Sequence, residues 1–246
     1  MIRVTIASLA TIFTLTLAGS AFADEPEGEG KHHFGSPGFI ISADRLLPLL
    51  SYESAKTTQP DGGSRTASNL SVALSNSGPT YTFYNLPRLA FDWLPIQNLT
   101  VGGAFWFYTQ LSASESLFPA GGGAAKSNDL PKVTYWGIAP RVGYVFPLTH
   151  MLSVWPRVGV GYQSASSSSV NGAPSQSQSQ FAFGGDAMLV ISPWNHLGFT
   201  VGPTIDVPIS GKSSVMSTNA AGASTTTSVD SALFQFGISA GMLGHF

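Results

Sequence analysis

The feature that most restricts this chain is a period of two. In "LTVGGAFWFYTQ" the odd positions Leu99, Val101, Phe105 and Phe107 oppose Thr100, Gly102, Ala104, Trp106, Tyr108 and Gln110. Successive side chains of an extended strand point to opposite faces, so this spacing predicts a strand with one apolar face. In "NLPRLAFDWL" Leu89, Phe91 and Trp93 lie opposite Arg88, Ala90 and Asp92. The pattern returns in "YWGIAPRVGYVF", "LSVWPRVGVGYQ", "FAFGGDAMLVI", "LGFTVGPTIDV" and "LFQFGISAGMLGHF". An eighth strand, "GFIISADRLLPLLSYE", is predicted with a bulge, because Pro48 and the adjacent Asp44 and Arg45 break strict alternation. Pro87, Pro140 and Pro156 each threaten a ladder hydrogen bond in the same way.

Charge density decides what surrounds these strands. Charged residues are 10 % of the chain, against roughly 25 % in ordinary soluble domains. A soluble sandwich would need far more charge on its solvent face. A helical membrane protein would need apolar runs of about 20 residues, and past residue 23 the chain contains none. Low charge without long apolar runs is what a transmembrane β-barrel produces, since lipid-facing and lumen-facing residues alternate.

The connections fall into two classes. "PIQN", "PLTH" and "PWNH" are tight turns, whereas roughly 55–78, 111–131, 164–178 and 209–229 are long and Ser/Gly/Ala/Thr-rich, the last two low in complexity and expected to be mobile. Alternating short turns and long loops give an all-β, eight-stranded antiparallel up-and-down transmembrane barrel with three periplasmic turns and four external loops. Outward aromatics form two girdles. Trp93, Phe146, Phe199 and Phe246 fall at the turn end, and Trp136 falls at the loop end with Tyr81, Phe83 and others.

Before the strands, Arg3, an uncharged apolar run and Ala21-Phe22-Ala23 read as a secretory signal peptide over residues 1–23. A flexible periplasmic segment is expected at 24–37 and the barrel at 38–246. There is no cysteine, which excludes disulfides and thiolate metal sites. The net charge of −2 gives no basic patch for nucleic acid.

Six charges in the clean strands share the inward face: Arg88, Asp92, Arg141, Arg157, Asp186 and Asp206. Eight strands leave a lumen just wide enough for side chains, so these groups are expected to pair across it and fill it. The alternative is a narrow pore or a conduit for small apolar molecules. The inward glycines 102, 137, 143, 159, 161, 202, 237 and 241 would leave it room, beside Trp106, Tyr108, Met188 and Leu243.

A lipid-modifying hydrolase is disfavoured, because a nucleophile needs a base within reach. His150, His196 and His245 fall at the turn end and His32 and His33 before the barrel. Glu27 and Glu29 near that pair do not make the spacing of a closed metal site. No cofactor, metal or catalytic residue is expected.

The chain ends on Phe246, with Ile238, Ala240 and Met242 at alternate positions before it. This ending resembles the assembly signal of bacterial outer-membrane proteins. The four-loop, three-turn plan resembles the OmpA/OmpX-type eight-stranded family. The resemblance implies export through the periplasm, contact with the barrel-assembly machinery during insertion, and residence among outer-membrane lipids and lipopolysaccharide. The expected role is that of a structural or surface-interaction protein.

Overall fold

The computed structural model describes residues 34–58, 62–72, 86–112, 114–117, 126–170, 174–194, 196–218 and 223–246. The leader expected at 1–23, His32, His33, Glu27, Glu29, Tyr81 and Phe83 lie outside the described residues. The strands are β1 (Gly38–Thr58), β2 (Ser64–Val72), β3 (Arg88–Ile96), β4 (Leu99–Thr109), β5 (Ser114–Leu117), β6 (Lys126–Asp129), β7 (Val133–Tyr144), β8 (Phe146–Pro147), β9 (Leu152–Ser167), β10 (Ser175–Trp194), β11 (Leu197–Thr218) and β12 (Ser224–His245).

Every ladder is antiparallel, and β12 returns to pair with β1, which closes the sheet. Eight staves form the ring. The second is built from two pieces, with β3 pairing the turn end of β1 and β2 its loop end. β8 continues the β7 stave against β9, and β5 and β6 form a separate small hairpin in the loop between β4 and β7. Phe246 and Phe39 exchange two backbone hydrogen bonds of 2.9 Å, so the last residue completes the closing ladder.

The register holds the apolar faces outward. Leu89, Phe91, Val101, Phe105, Ile138, Val142, Val158, Val160, Phe183 and Phe199 are all exposed on the barrel wall. An exposed apolar surface of this extent is suited to lipid. At the turn end the rings of Phe39 and Phe246 stack at 5.3 Å, and Tyr144 and Phe146 lie 4.8 Å apart. At the loop end Trp136 meets Tyr162 at 5.3 Å, and Tyr162 meets Phe181 at 4.8 Å.

Two irregularities shape the wall. β1 shifts register between Ala43 and Leu47 and again between Pro48 and Leu50, and Arg45 adopts φ +55° in the first shift. β11 carries one extra residue around Ile209, seen against both neighbours. Past that bulge Gly211, Ser213 and Val215 face inward, level with Gln180, Gln178 and Gln176. Pro140 has no N–H to donate, and the β7–β9 ladder is interrupted between Ile138 and Arg141.

The stretches expected as long loops differ from that expectation. β9 runs to Ser167 and β10 starts at Ser175, while β11 reaches Thr218 and β12 starts at Ser224. β1 and β2 pair from Leu50 with Val72 to Thr58 with Ser64. Much of the expected loop sequence is therefore paired strand. Low complexity does not prevent pairing where a neighbouring stave already presents its open backbone groups. A second correction concerns residues 34–37, expected within a flexible tail. Phe34 is buried, and the Gly35 carbonyl accepts a 2.8 Å hydrogen bond from the Asn98 amide.

The belt should be readable by charge scanning. Val158→Arg, within the apolar wall, is expected to destabilise the barrel by about 2–4 kcal/mol. Ser177→Arg, on the outward face beyond Phe181, should change stability by less than about 0.5 kcal/mol. Urea unfolding of the protein refolded in lipid vesicles measures both.

Candidate functional site

Inside the barrel the side chains stack in layers. The lowest, at the turn end, is apolar: Ile40, Leu94, Val145, Trp155, Val190 and Leu243 cluster with Phe34. Phe34 meets the Trp155 ring edge-on at 5.5 Å and His245 at 5.7 Å. Trp155 is fully buried and donates its indole N–H to Thr100 Oγ1 at 3.1 Å.

The charged layer lies against this floor. The Arg157 guanidinium is 4.3 Å and that of Arg141 5.7 Å from the Trp155 ring centre, distances at which a cation is held by the aromatic face. Arg141 grips Asp92 through Nε (2.9 Å) and Nη2 (2.5 Å), and reaches Asp44 through Nη1 at 2.5 Å. Arg157 reaches Asp44 at 3.2 Å and Asp186 at 2.5 Å. Arg45 and Arg88 share Asp206 Oδ2 at 2.9 and 3.3 Å. Among the described residues the layer thus holds four arginines and four aspartates.

All six charges named from the sequence lie in this layer. Arg88, Asp92, Arg141, Arg157, Asp186 and Asp206 divide between two groups, one around Asp44 and one around Asp206. Sequence reasoning missed the two residues that join them. Asp44 and Arg45 are adjacent yet both buried, which strict alternation forbids. The bulge, with Arg45 in the left-handed region, turns both inward, and the broken alternation there was the available signal. Trp155 was also passed over, although it shares the inward parity of Ser153 and Arg157. Phe34 had no signal in periodicity.

The girdle residues Trp93, Trp136, Phe146, Phe199 and Phe246 all lie on the outer surface. Ile238, Met242 and Phe246 face outward with them, and Ala240 shares their parity at an intermediate exposure.

The inward glycines leave little open room. A Cβ at Gly137 would enter the Trp106 indole, and one at Gly143 would lie 2.7 Å from Thr100 Oγ1 and 2.8 Å from Arg157 Cγ. These glycines are sockets for the large side chains opposite. Gly161 differs, since its Cβ would meet nothing nearer than 3.5 Å. Trp106, Met188 and Leu243 are buried, and Arg88 sits 4.2 Å above the Trp106 ring.

The sequence matches no protein-family model and no curated protein sequence. Among solved structures, the outer membrane protein OprG from Pseudomonas aeruginosa is similar at 13 % identity, over 88 % of this chain and 99 % of that one, with a TM-score of 0.52. The chain has the fold of a small outer-membrane β-barrel. AlkL, solved by solid-state NMR in DMPC bilayers, shares 14 % identity over 91 % of this chain and 98 % of its own, at a TM-score of 0.47. A major outer membrane protein of Thermus thermophilus is 14 % identical over 85 % of this chain and 99 % of its own, at a TM-score of 0.46. At such identities the likeness concerns the fold alone.

Two sets of variants test the layer. Arg141→Met leaves Asp44 and Asp92 short of a partner and should cost about 3–5 kcal/mol, because an uncompensated charge stays buried. Arg141→Met combined with Asp92→Leu should cost less than the sum of the two single changes, as urea midpoints would show. Gly137→Ala should cost about 1–3 kcal/mol by overpacking Trp106, while Gly161→Ala should stay within about 0.5 kcal/mol in the same assay.

Proposed function

We propose that the chain is an integral protein of a bacterial outer membrane whose lumen is shut, and that it acts as a structural or surface-interaction protein at its loop end. The observation that carries this reading is the stacking of two blocking layers across one narrow barrel. The apolar floor of Trp155, Ile40, Leu94, Val190 and Leu243 offers nothing to a hydrated ion. The Arg–Asp layer against it pairs its charges with each other. Buried charges paired this closely are costly to separate, which opposes axial flow.

What the barrel offers outside lies in its strand lengths. β4 has 11 residues, and a tilted strand needs about 9–11 to cross the bilayer. β11 and β12 have 22 each and β10 has 20, so these staves continue well beyond the apolar wall. Their outward positions, with those of the end of β9, become Ser164, Ser166, Ser177, Ser179, Ser214 and Ser228, with Lys212 opposite Asp230. Ser214 and Ser228 bond through their hydroxyls at 2.8 Å. This is a hydroxyl-rich, nearly neutral platform on a rigid base, suited to polar partners such as lipopolysaccharide sugars.

In plan the barrel corresponds to the OmpA/OmpX type, with the turn end in the periplasm and the alternating ending at Phe246 read by the barrel-assembly machinery. The reading gives the chain no catalytic step.

The test is conductance. The refolded barrel, inserted in planar bilayers and verified by its heat-dependent gel shift, should stay silent. Discrete, reproducible steps from the inserted protein would overturn the closed-lumen reading.

A further inference from the structure

The charges of the inner layer balance as a whole but are unevenly placed. A cavity of about 50 Å³ lies against β7, β9 and β10. Four arginines line it, Arg45, Arg88, Arg141 and Arg157, but only two aspartates, Asp186 and Asp206. Asp44 and Asp92, which complete the balance, are not among its lining residues. The lining therefore carries two more arginines than aspartates, while Asp44 and Asp92 hold Arg141 and Arg157 from outside it.

Hydrogen bonding points the same way. Among the described residues, four of the lining carry a buried side-chain nitrogen without an acceptor: Arg88 Nε, Arg157 Nη2, Trp106 Nε1 and Gln163 Nε2. Every one of these atoms is a donor. The two lining aspartates are each engaged through one oxygen, Asp206 Oδ2 by Arg45 and Arg88, and Asp186 Oδ1 by Arg157. A buried donor left unmade costs about 1–3 kcal/mol, and more when charged. Four unmade donors around one cavity thus favour an acceptor inside it.

Water could satisfy some of these donors, since one molecule needs only about 10–15 Å³ of such space. Water, however, brings two protons that need acceptors of their own, and the lining offers a surplus of donors. It also leaves the surplus of arginines over aspartates in the lining unmatched. An anion supplies acceptors in every direction and lowers that surplus. The volume admits an ion of one to a few heavy atoms.

We propose that this cavity is a binding site for a small monovalent anion of halide or nitrate size. The ion would be held by the guanidinium groups of Arg88 and Arg157, the Trp106 indole N–H and the Gln163 amide. It would be a resident third partner of the charged layer, bound from the loop-end side, because the apolar floor closes the other. Entry from the loop end rests on the closed floor of the proposed function, whereas the site itself would also exist in a conducting barrel.

The probe is bromide. Crystals of the refolded barrel grown or soaked in bromide should show an anomalous peak within hydrogen-bond distance of Gln163 Nε2 and Trp106 Nε1. At fixed ionic strength the thermal midpoint should be higher in bromide or chloride than in gluconate, an anion too large for the cavity. Gln163→Glu supplies a carboxylate in place and should remove both the peak and the anion dependence. Trp106→Phe keeps the ring under Arg88 but deletes one donor, and should weaken bromide binding several-fold; it serves if Gln163→Glu does not fold. A peak-free cavity with equal midpoints in all three anions would overturn the proposal and leave water as the occupant. A peak with equal midpoints in the wild-type protein would also overturn it, marking an adventitious ion only.

Discussion

The closing ladder between β1 and β12 is the constraint on which the rest of this structure depends. In hydrocarbon no water is available to an open sheet edge, so every backbone N–H and C=O of the wall must find a neighbour. Closure is met at the chain's last residue, where Phe246 and Phe39 exchange both hydrogen bonds. Once the ring is closed, alternation leaves each side chain one of two environments, lipid or lumen. Which residues meet inside then follows from register.

Closure also explains the bulge in β1. Asp44 and Arg45 are neighbours in sequence, and a regular strand would send one of them into lipid. An Arg there would cost about 2–4 kcal/mol near the midplane. The left-handed turn at Arg45 brings both inward, where Asp44 bridges Arg141 and Arg157 and Arg45 joins Arg88 on Asp206. A local departure from strand geometry is thus what holds the two halves of the charged layer together. Trp155 ties that layer to the apolar floor, with its face under two guanidinium groups and its N–H on Thr100.

The glycines follow from the same shortage of space. Eight staves enclose little volume, and an inner layer of Arg and Trp fits only where the opposing position lacks a side chain. Gly137 receives Trp106 and Gly143 receives Arg157. A sequence reader sees inward glycines as vacancies, whereas these two are filled by the side chains of their ladder partners on the adjacent strands. The cavity beside Gly161 and Ala139 is the place where that filling is incomplete, and it is ringed by donors.

The fold was legible in the sequence because a period of two in a chain so poor in charge has few physical solutions. The pattern placed Arg88, Asp92, Arg141, Arg157, Asp186 and Asp206 inward, and each takes part in the ion pairs of the lumen. It also placed Trp93, Phe146 and Phe199 on the wall. Alternation is a local property, set by the geometry of each residue against its neighbour. Partnership is not local: Arg141 with Asp44 and Arg45 with Asp206 lie 97 and 161 residues apart, and only the ring brings them together. The length of the strands was equally out of reach, since Ser- and Thr-rich segments pair or not according to the staves beside them. By itself the sequence determined which face of each strand meets lipid. Only the tertiary structure decided which charges meet, how Phe34 and Trp155 close the floor, and where four residues lining one cavity keep donors without acceptors, because these depend on distances between strands that no segment carries alone.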